Sequence, residues 1–168
     1  QPAGYYAHLN FPKRVYMHDS GESQYRRGLY THRQRTFPHP SLMAFDAPSR
    51  QECAAERPMS NTPTQALTLL NDPSFVEAAI AFAARIVREG SESPAERITW
   101  AYRHALARAP AADELEVVTA LYESHAGQYA TDAEAADGLI HAGETPPPDD
   151  IAPAELAAWT SVARVMLN

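Results

Sequence analysis

The side chains best suited to chemistry lie in residues 25–72, a stretch crowded with Arg, His, Pro and aromatic residues and without a clear helix or strand period. His32, His39 and Asp46 are candidates for acid–base chemistry, because imidazole titrates near neutral pH and a carboxylate can accept a proton. Ser49 follows Asp46 closely and is a candidate nucleophile. These side chains would suit a hydrolytic or redox site.

Each of these candidates also has a structural interpretation. The spacing of His32 and His39 matches no named metal motif, so we predict no metal site. The segment from Asp46 to Ser49 is typical of an Asx turn followed by a serine cap, and the chain contains no GxSxG motif. Cys53 is the single cysteine, which excludes an internal disulfide. The role of this thiol, reactive group or small buried side chain, stays open.

Arginine is the second chemical feature of this stretch. A guanidinium group binds carboxylate, sulfate or phosphate through two parallel hydrogen bonds. These arginines would suit an anionic or carbohydrate ligand or the acidic surface of a partner. Alternatively, they pair with carboxylates and helix-end carbonyl groups of the chain itself. The candidate binding residues are Arg26, Arg27, Arg33, Arg35, Arg50 and Arg57.

Charge is distributed unevenly along the chain. Residues 1–60 contain eight Lys or Arg and five Asp or Glu residues, a net charge of +3; the chain carries −7, which leaves −10 for the rest. An acidic chain without a nucleic-acid motif is a poor candidate for binding DNA or RNA. No apolar run is long enough to span a membrane, and there is no CxxCH haem-attachment motif, so we expect no cofactor in this chain.

Helices are predicted to position these residues. Three capping residues stand directly before a proline: Thr62, Asp72 and Ser93. The apolar period continues in helices from near Ala112, over residues 132–141 with an interruption at Gly138, and from Pro153. Asp113 and Glu114 would lie at the positive end of the helix near Ala112.

The N-terminal part gives weaker signals. A short strand is predicted near residues 14–17, and Ser41 is predicted to cap a short helix that runs to Phe45. The period of residues 25–36 does not decide between strand and helix. Gln65 is expected to face the irregular stretch and to hold its backbone groups. The predicted fold is mainly α: one domain, residues 1–168, in which an irregular, Arg- and aromatic-rich layer (1–60) accompanies an irregular bundle of five or six helices (61–168).

Several long motifs in this order resemble a known family. YRRGLYTHRQR, AFDAPSR and SNTPTQALTLLNDPSFVEAA are similar to the domain of unknown function DUF1553, as are the opening QPAGYY and LNFPKR and the closing ELAAWTSVARVMLN. The resemblance implies a domain near the C-terminus of large exported proteins of planctomycetes, which often also carry DUF1549 and planctomycete-type cytochrome c domains. It implies no established activity, and any haem domain would lie outside this chain.

Two functions follow as expectations. The first is a non-catalytic module that docks onto the neighbouring domains, DUF1549-like or cytochrome c-like, or binds an anionic or carbohydrate ligand. The second is part of a hydrolytic or redox site that an upstream domain completes. The resemblance implies a periplasmic or cell-surface location, and the sequence leaves open whether the chain is an enzyme.

Overall fold

The computed structural model describes residues 17, 19, 21–33, 38–49 and 51–168. Within these residues the chain forms seven α-helices and no strand, which confirms the predicted mainly α fold. The backbone divides into two compact units, Gln1–Thr68 and Leu69–Asn168. The prediction of one domain, in which an irregular layer ends at residue 60 and a helical body follows, stays a prediction.

The first unit contains short helical turns joined by irregular chain. Two 3₁₀ turns, Gly21–Tyr25 and Gly28–Tyr30, precede α1, Pro40–Ala44. Gly28 lies close to α1, because a Cβ atom at this position would be 3.0 Å from the side chain of Leu42. Helix α2, Pro63–Asn71, begins in this unit, and its first turn has the predicted cap, with the N–H of Gln65 donating to Thr62 Oγ1 at 3.4 Å.

Two local predictions for this unit need comment. Helix α1 begins at Pro40 with His39 in the N-cap position, so the predicted cap at Ser41 is wrong. The reason is that proline has its φ angle preset for the first helical position, so the N-cap lies at His39, two residues before the predicted one. The strand predicted for residues 14–17 lies, apart from Met17, outside the described residues.

The second unit consists of five helices with clear local start signals. Asp72 accepts a hydrogen bond from the N–H of Ser74 at 3.0 Å, and Ser93 Oγ accepts one from the N–H of Glu96 at 3.3 Å, which confirms both predicted caps. The predicted interruption at Gly138 is wrong: the helix runs through this exposed glycine, whose surroundings are open. The helices are α3 (Pro73–Glu89), α4 (Pro94–Leu106), α5 (Ala112–Thr131), α6 (Ala133–Ile140) and α7 (Pro153–Leu167).

Helix α7 forms the centre of the second unit. Residues 156–163 are all buried, and α3, α4, α5 and α6 all pack against this helix. The buried hydroxyl groups of Thr160 and Ser161 donate to the carbonyl groups of Leu156 and Ala157, at 2.7 and 3.2 Å, so their polar atoms are satisfied inside the core. Among the described helices, none combines the length and the apolar character that a bilayer crossing requires.

Candidate functional site

Asp46 is the most highly connected of the predicted site residues. Its carboxylate accepts hydrogen bonds from the backbone N–H of Ser60 at 2.7 Å and from the Ser60 hydroxyl at 2.7 and 2.9 Å. The side-chain amide of Gln65 donates to the same carboxylate at 3.4 Å and to Ser60 Oγ at 3.2 Å. Asp46 therefore joins the end of α1 to the start of α2.

The start of α2 completes this network. The carbonyl oxygen of the Gln65 side chain accepts the backbone N–H of Thr62 at 3.0 Å, while the Gln65 N–H donates to Thr62 Oγ1, so the two residues form a reciprocal capping box. Gln65 is 8% exposed. Gln65 contacts the irregular stretch as expected, but through the side chains of Asp46 and Ser60; the backbone group that it binds is Thr62 N–H, in the cap of its own helix. The sequence did not indicate Ser60 as a site residue, because nothing near it in the sequence marks it as the partner of a carboxylate 14 residues away.

Arg57 donates hydrogen bonds within the same network. Its guanidinium donates to the carbonyl oxygen of Phe45 at 2.6 Å and to that of Asp46 at 3.2 Å. These carbonyl groups lie where α1 ends, and a cation is favourable at the negative end of a helix. Arg57 therefore binds carbonyl groups of its own chain at the end of a helix, which is the second of the two interpretations given for the arginines.

Asp46 has a left-handed backbone conformation, and its side chain closes the loop that follows it. Asp46 has a φ angle of 56°, in the left-handed region that few residues other than Gly, Asn and Asp adopt. Its bonds to Ser60 bring together the ends of residues 47–59, whose described part has no helix or strand. An irregular segment of this length with adjacent ends is an Ω-loop. Cys53 and Met59 are exposed on this loop.

The electrostatics of Asp46 suit a structural role. Hydrogen bonds from the Ser60 hydroxyl and N–H, with smaller contributions from Gln65 and Arg57, lower the pKa of the Asp46 carboxyl below its usual value. A general base needs a pKa near the working pH, and lowering moves this carboxyl further away. Its acceptor sites are also occupied by Ser60 and Gln65. The geometry therefore makes Asp46 a closing point of the loop.

Ser49, His32 and His39 are the other catalytic candidates. Ser49 Oγ accepts the N–H of Gln51 at 3.3 Å, a local turn contact that agrees with the capping interpretation. His32 is exposed, and His39 is half-buried at the N-cap of α1. In the part of the chain that the structure describes, no group of three or more His, Cys, Asp or Glu side chains is placed to bind a metal ion together.

Three of the remaining candidate arginines lie within the described residues, and one of them contacts an exposed ring. Arg26 and Arg27 are exposed and Arg33 is half-buried; the guanidinium carbon of Arg26 lies 5.9 Å from the centroid of the Tyr30 ring. No ion pair joins these three arginines to a carboxylate among the described residues. Arg35 and Arg50 lie outside the described residues.

Large apolar side chains accompany these arginines. Leu29 is 76% exposed, Tyr30 62% and Tyr25 56%, and neither 3₁₀ turn contains a buried residue. We call this group the Arg/Tyr surface; it consists of Tyr25, Arg26, Arg27, Leu29, Tyr30 and Arg33. It can offer guanidinium groups to carboxylates and flat rings to a partner, but it contains no catalytic pair.

Comparison with known proteins gives one match. The sequence profile of the PSD1 family, proteins of unknown function described as DUF1553, matches residues 1–122. This range includes the Asp46 network and the Arg/Tyr surface, and it ends within α5. The resemblance of the closing ELAAWTSVARVMLN stretch lies beyond it.

Neither the curated proteins nor the solved structures contain a match to this chain. The family match covers the larger part of the sequence, and the motifs from Tyr25 to Ala79 lie within it. On this basis the chain belongs to the DUF1553 (PSD1) family of proteins of unknown function.

Proposed function

We propose that this chain is a non-catalytic docking module of a larger exported protein. In this proposal the Arg/Tyr surface binds an acidic surface of a neighbouring domain, at the periplasmic or cell-surface location that the family resemblance implies. The observation that carries the proposal is the exposure of Arg26, Arg27, Leu29 and Tyr30 within one short segment.

The composition of this surface favours a protein partner. Arg and Tyr are enriched among the residues that dominate protein–protein binding energies, whereas Lys is depleted at such interfaces. Lys13 is the one lysine of the sequence, and the other thirteen of the fourteen Lys and Arg residues are arginine. Leu29, at 76% exposure, offers an aliphatic contact that a sugar ring or a sulfate group would leave unused. An anionic carbohydrate would use the arginines and tyrosines alone.

The enzymatic alternative has less support. It requires Asp46 and Ser49 to serve a reaction, but Asp46 is occupied by Ser60 and Gln65, and Ser49 contacts its own turn. His32 and His39 stay weak candidates for a site that an upstream domain would complete. Loss of a parent-protein activity in a His39→Ala variant that stays folded would favour this alternative.

The docking proposal is tested with the whole chain and a separately produced neighbouring domain of the parent protein. Isothermal titration calorimetry at low and high salt compares the wild type with the Arg26→Glu/Arg27→Glu variant. The matched control is Arg103→Glu, which reverses an exposed arginine of α4. We expect the double variant to weaken binding by about tenfold or more, because two like-charge contacts replace two attractive ones.

The outcomes separate the possibilities. Weaker binding in the Arg26/Arg27 variant with unchanged circular dichroism, and unchanged binding in the Arg103 variant, supports docking through the Arg/Tyr surface. Equal affinity in all three proteins contradicts it. If a uronate-containing or sulfated polysaccharide binds and the neighbouring domain does not, the partner is a carbohydrate, and Leu29→Ala is then expected to be silent.

A further inference from the structure

Glu77 is a buried carboxylate in a helix that otherwise turns an apolar face to the core. It is 9% exposed and has the buried residues Val76, Ala79 and Ile80 as neighbours on α3. Its carboxylate accepts the backbone N–H groups of Glu144 at 3.2 Å and Thr145 at 3.0 Å. A buried carboxylate is costly unless it is hydrogen-bonded, so these contacts explain how it is tolerated.

Gly143 shows how closely the chain approaches this carboxylate. A Cβ atom at Gly143 would lie 2.6 Å from the carboxylate carbon of Glu77 and 2.6 Å from one of its oxygens. Any side chain here would displace the carboxylate. The backbone of residues 143–145 is therefore fitted around Glu77.

The same segment is attached to α3 a second time. Arg88 donates to both carboxylate oxygens of Asp150, at 2.9 and 2.5 Å, which raises the pKa of the Arg88 guanidinium and lowers that of the Asp150 carboxyl. Both partners are about half-exposed, with side-chain exposures of 48% and 58%. One end of the segment thus meets α3 at Glu77 and the other meets it at Arg88.

The segment between the two contacts is short. Glu77 and Arg88 are eleven residues apart on α3, which corresponds to about 16 Å of helix at about 1.5 Å per residue. Thr145 and Asp150 are only five residues apart, and the segment ends in a turn at Asp149 and Asp150. The three consecutive prolines, 146–148, have restricted φ angles and limit the conformations of the part between the two contacts.

We propose that residues 144–150 form a proline strap along α3, fastened by the buried Glu77 at one end and by Arg88 at the other, and that the strap opens and closes as one unit. The strap leads to the buried Ile151 and to the first turn of α7 at Pro153. Fastening it fixes the point at which α7 enters the core. The strap lies outside the family match, which ends at residue 122.

Hydrogen exchange of the whole chain, measured by NMR, tests this device. The reporters are the amides of Glu144 and Thr145, and the combined fluorescence of Trp100 and the buried Trp159 shows whether the core is intact. We expect Arg88→Ala to speed exchange of both amides about threefold, because it removes an exposed ion pair from a strap that opens as one unit. Glu77→Ala should speed it about tenfold or more. The matched control, Arg85→Ala, removes an exposed ion pair to Glu89 on the same helix and should leave both amides unchanged.

If the amides of Glu144 and Thr145 exchange at the same rates in Arg88→Ala and in Arg85→Ala, the two ends of the segment are not coupled and the proposal is wrong. If Glu77→Ala unfolds and loses the native tryptophan fluorescence, the comparison of Arg88→Ala with Arg85→Ala still decides.

Discussion

The guanidinium carbon of Arg97 lies 5.7 Å from the centroid of the buried Trp159 ring. Arg97 also donates to the carbonyl oxygen of Ser91 at 2.8 Å and to the carboxylate of Glu155 at 2.8 Å. The ring of Tyr122 stacks on Trp159 at a centroid distance of 4.3 Å. One arginine therefore joins the turn before α4 and the first turn of α7 beside the centre of the core.

Replacing Arg97 by Lys should destabilise the protein although the charge is retained. The Arg97 side chain is 17% exposed, and a lysine cannot reproduce its forked contacts or its planar contact with the ring. We expect a loss of about 2 kcal/mol in the free energy of unfolding. Urea unfolding followed by Trp fluorescence measures it. Arg103→Lys on the same helix should change little, and equal effects of both substitutions would contradict this role.

Gly90 should not tolerate a side chain. A Cβ atom there would lie 2.4 Å from the carbonyl oxygen of Ile86 and 2.9 Å from Cγ of Arg97. Because the first neighbour is backbone, relief requires movement of the end of α3, and we expect Gly90→Ala to cost about 2 kcal/mol. Gly127→Ala is the control. Gly127 has open surroundings on α5, so this substitution should increase the free energy of unfolding by about 0.5–1 kcal/mol. Thermal unfolding of both variants separates them.

Ala107 offers the opposite substitution. This residue ends α4 with a φ angle of 55°, in the left-handed region that favours glycine. Ala107→Gly should therefore stabilise the protein by about 1 kcal/mol, because the left-handed conformation costs alanine about that amount. A decrease in the midpoint of thermal unfolding would show that a contact of the alanine side chain outweighs the backbone strain.

Acid should remove one contribution to stability at the start of α5. Hydrogen bonds from Arg108, at 2.6 Å to each carboxylate oxygen, and from the N–H of Ala111 lower the pKa of Glu114 from 4.5 to about 2. Because the folded pKa is the lower one, this stabilisation is complete above pH 4.5 and is lost as the pH falls to about 2. Urea midpoints of wild type and Glu114→Gln should therefore differ at pH 7 and converge near pH 2. Glu123→Gln, an exposed change on the same helix, should leave the urea midpoint at pH 7 close to that of the wild type.

The part matched by the family profile should not fold to the native second unit. Residues 1–122 lack α6, α7 and the end of α5, and α7 supplies the fully buried Trp159, Leu156 and Val162. We expect a protein of residues 1–122 to lose the cooperative thermal transition of the full chain, measured by circular dichroism. A cooperative transition at the same temperature would show that α3 to α5 form a sufficient core.

The helices of the second unit were predictable because their signals are local. Asp72, Ser93 and the prolines after them define starts within three residues, and the apolar period defines the inward face. The role of Asp46 was not predictable, since its partners Ser60 and Gln65 lie 14 and 19 residues away and no periodic pattern links them. The sequence also cannot tell whether an arginine such as Arg57 binds an external carboxylate or a carbonyl group nearby.

The central position of α7 was hidden for a different reason. The larger apolar residues of this helix mark one side, whereas the opposite side carries Ala157 and Ser161. Such small and hydroxylated residues are common on exposed faces, and only the packing shows that they are buried. Their small size lets neighbouring helices approach from several directions.

The late position of α7 in the chain has a consequence for the order of events during synthesis. After α5 has been synthesised, the residues that complete the core are still to be made, a delay of roughly 2–7 s at about 5–20 residues per second. During this interval α3, α4 and α5 have no α7 to cover the apolar surfaces that will later enclose Trp159. The second unit therefore cannot complete its core until α7 is made.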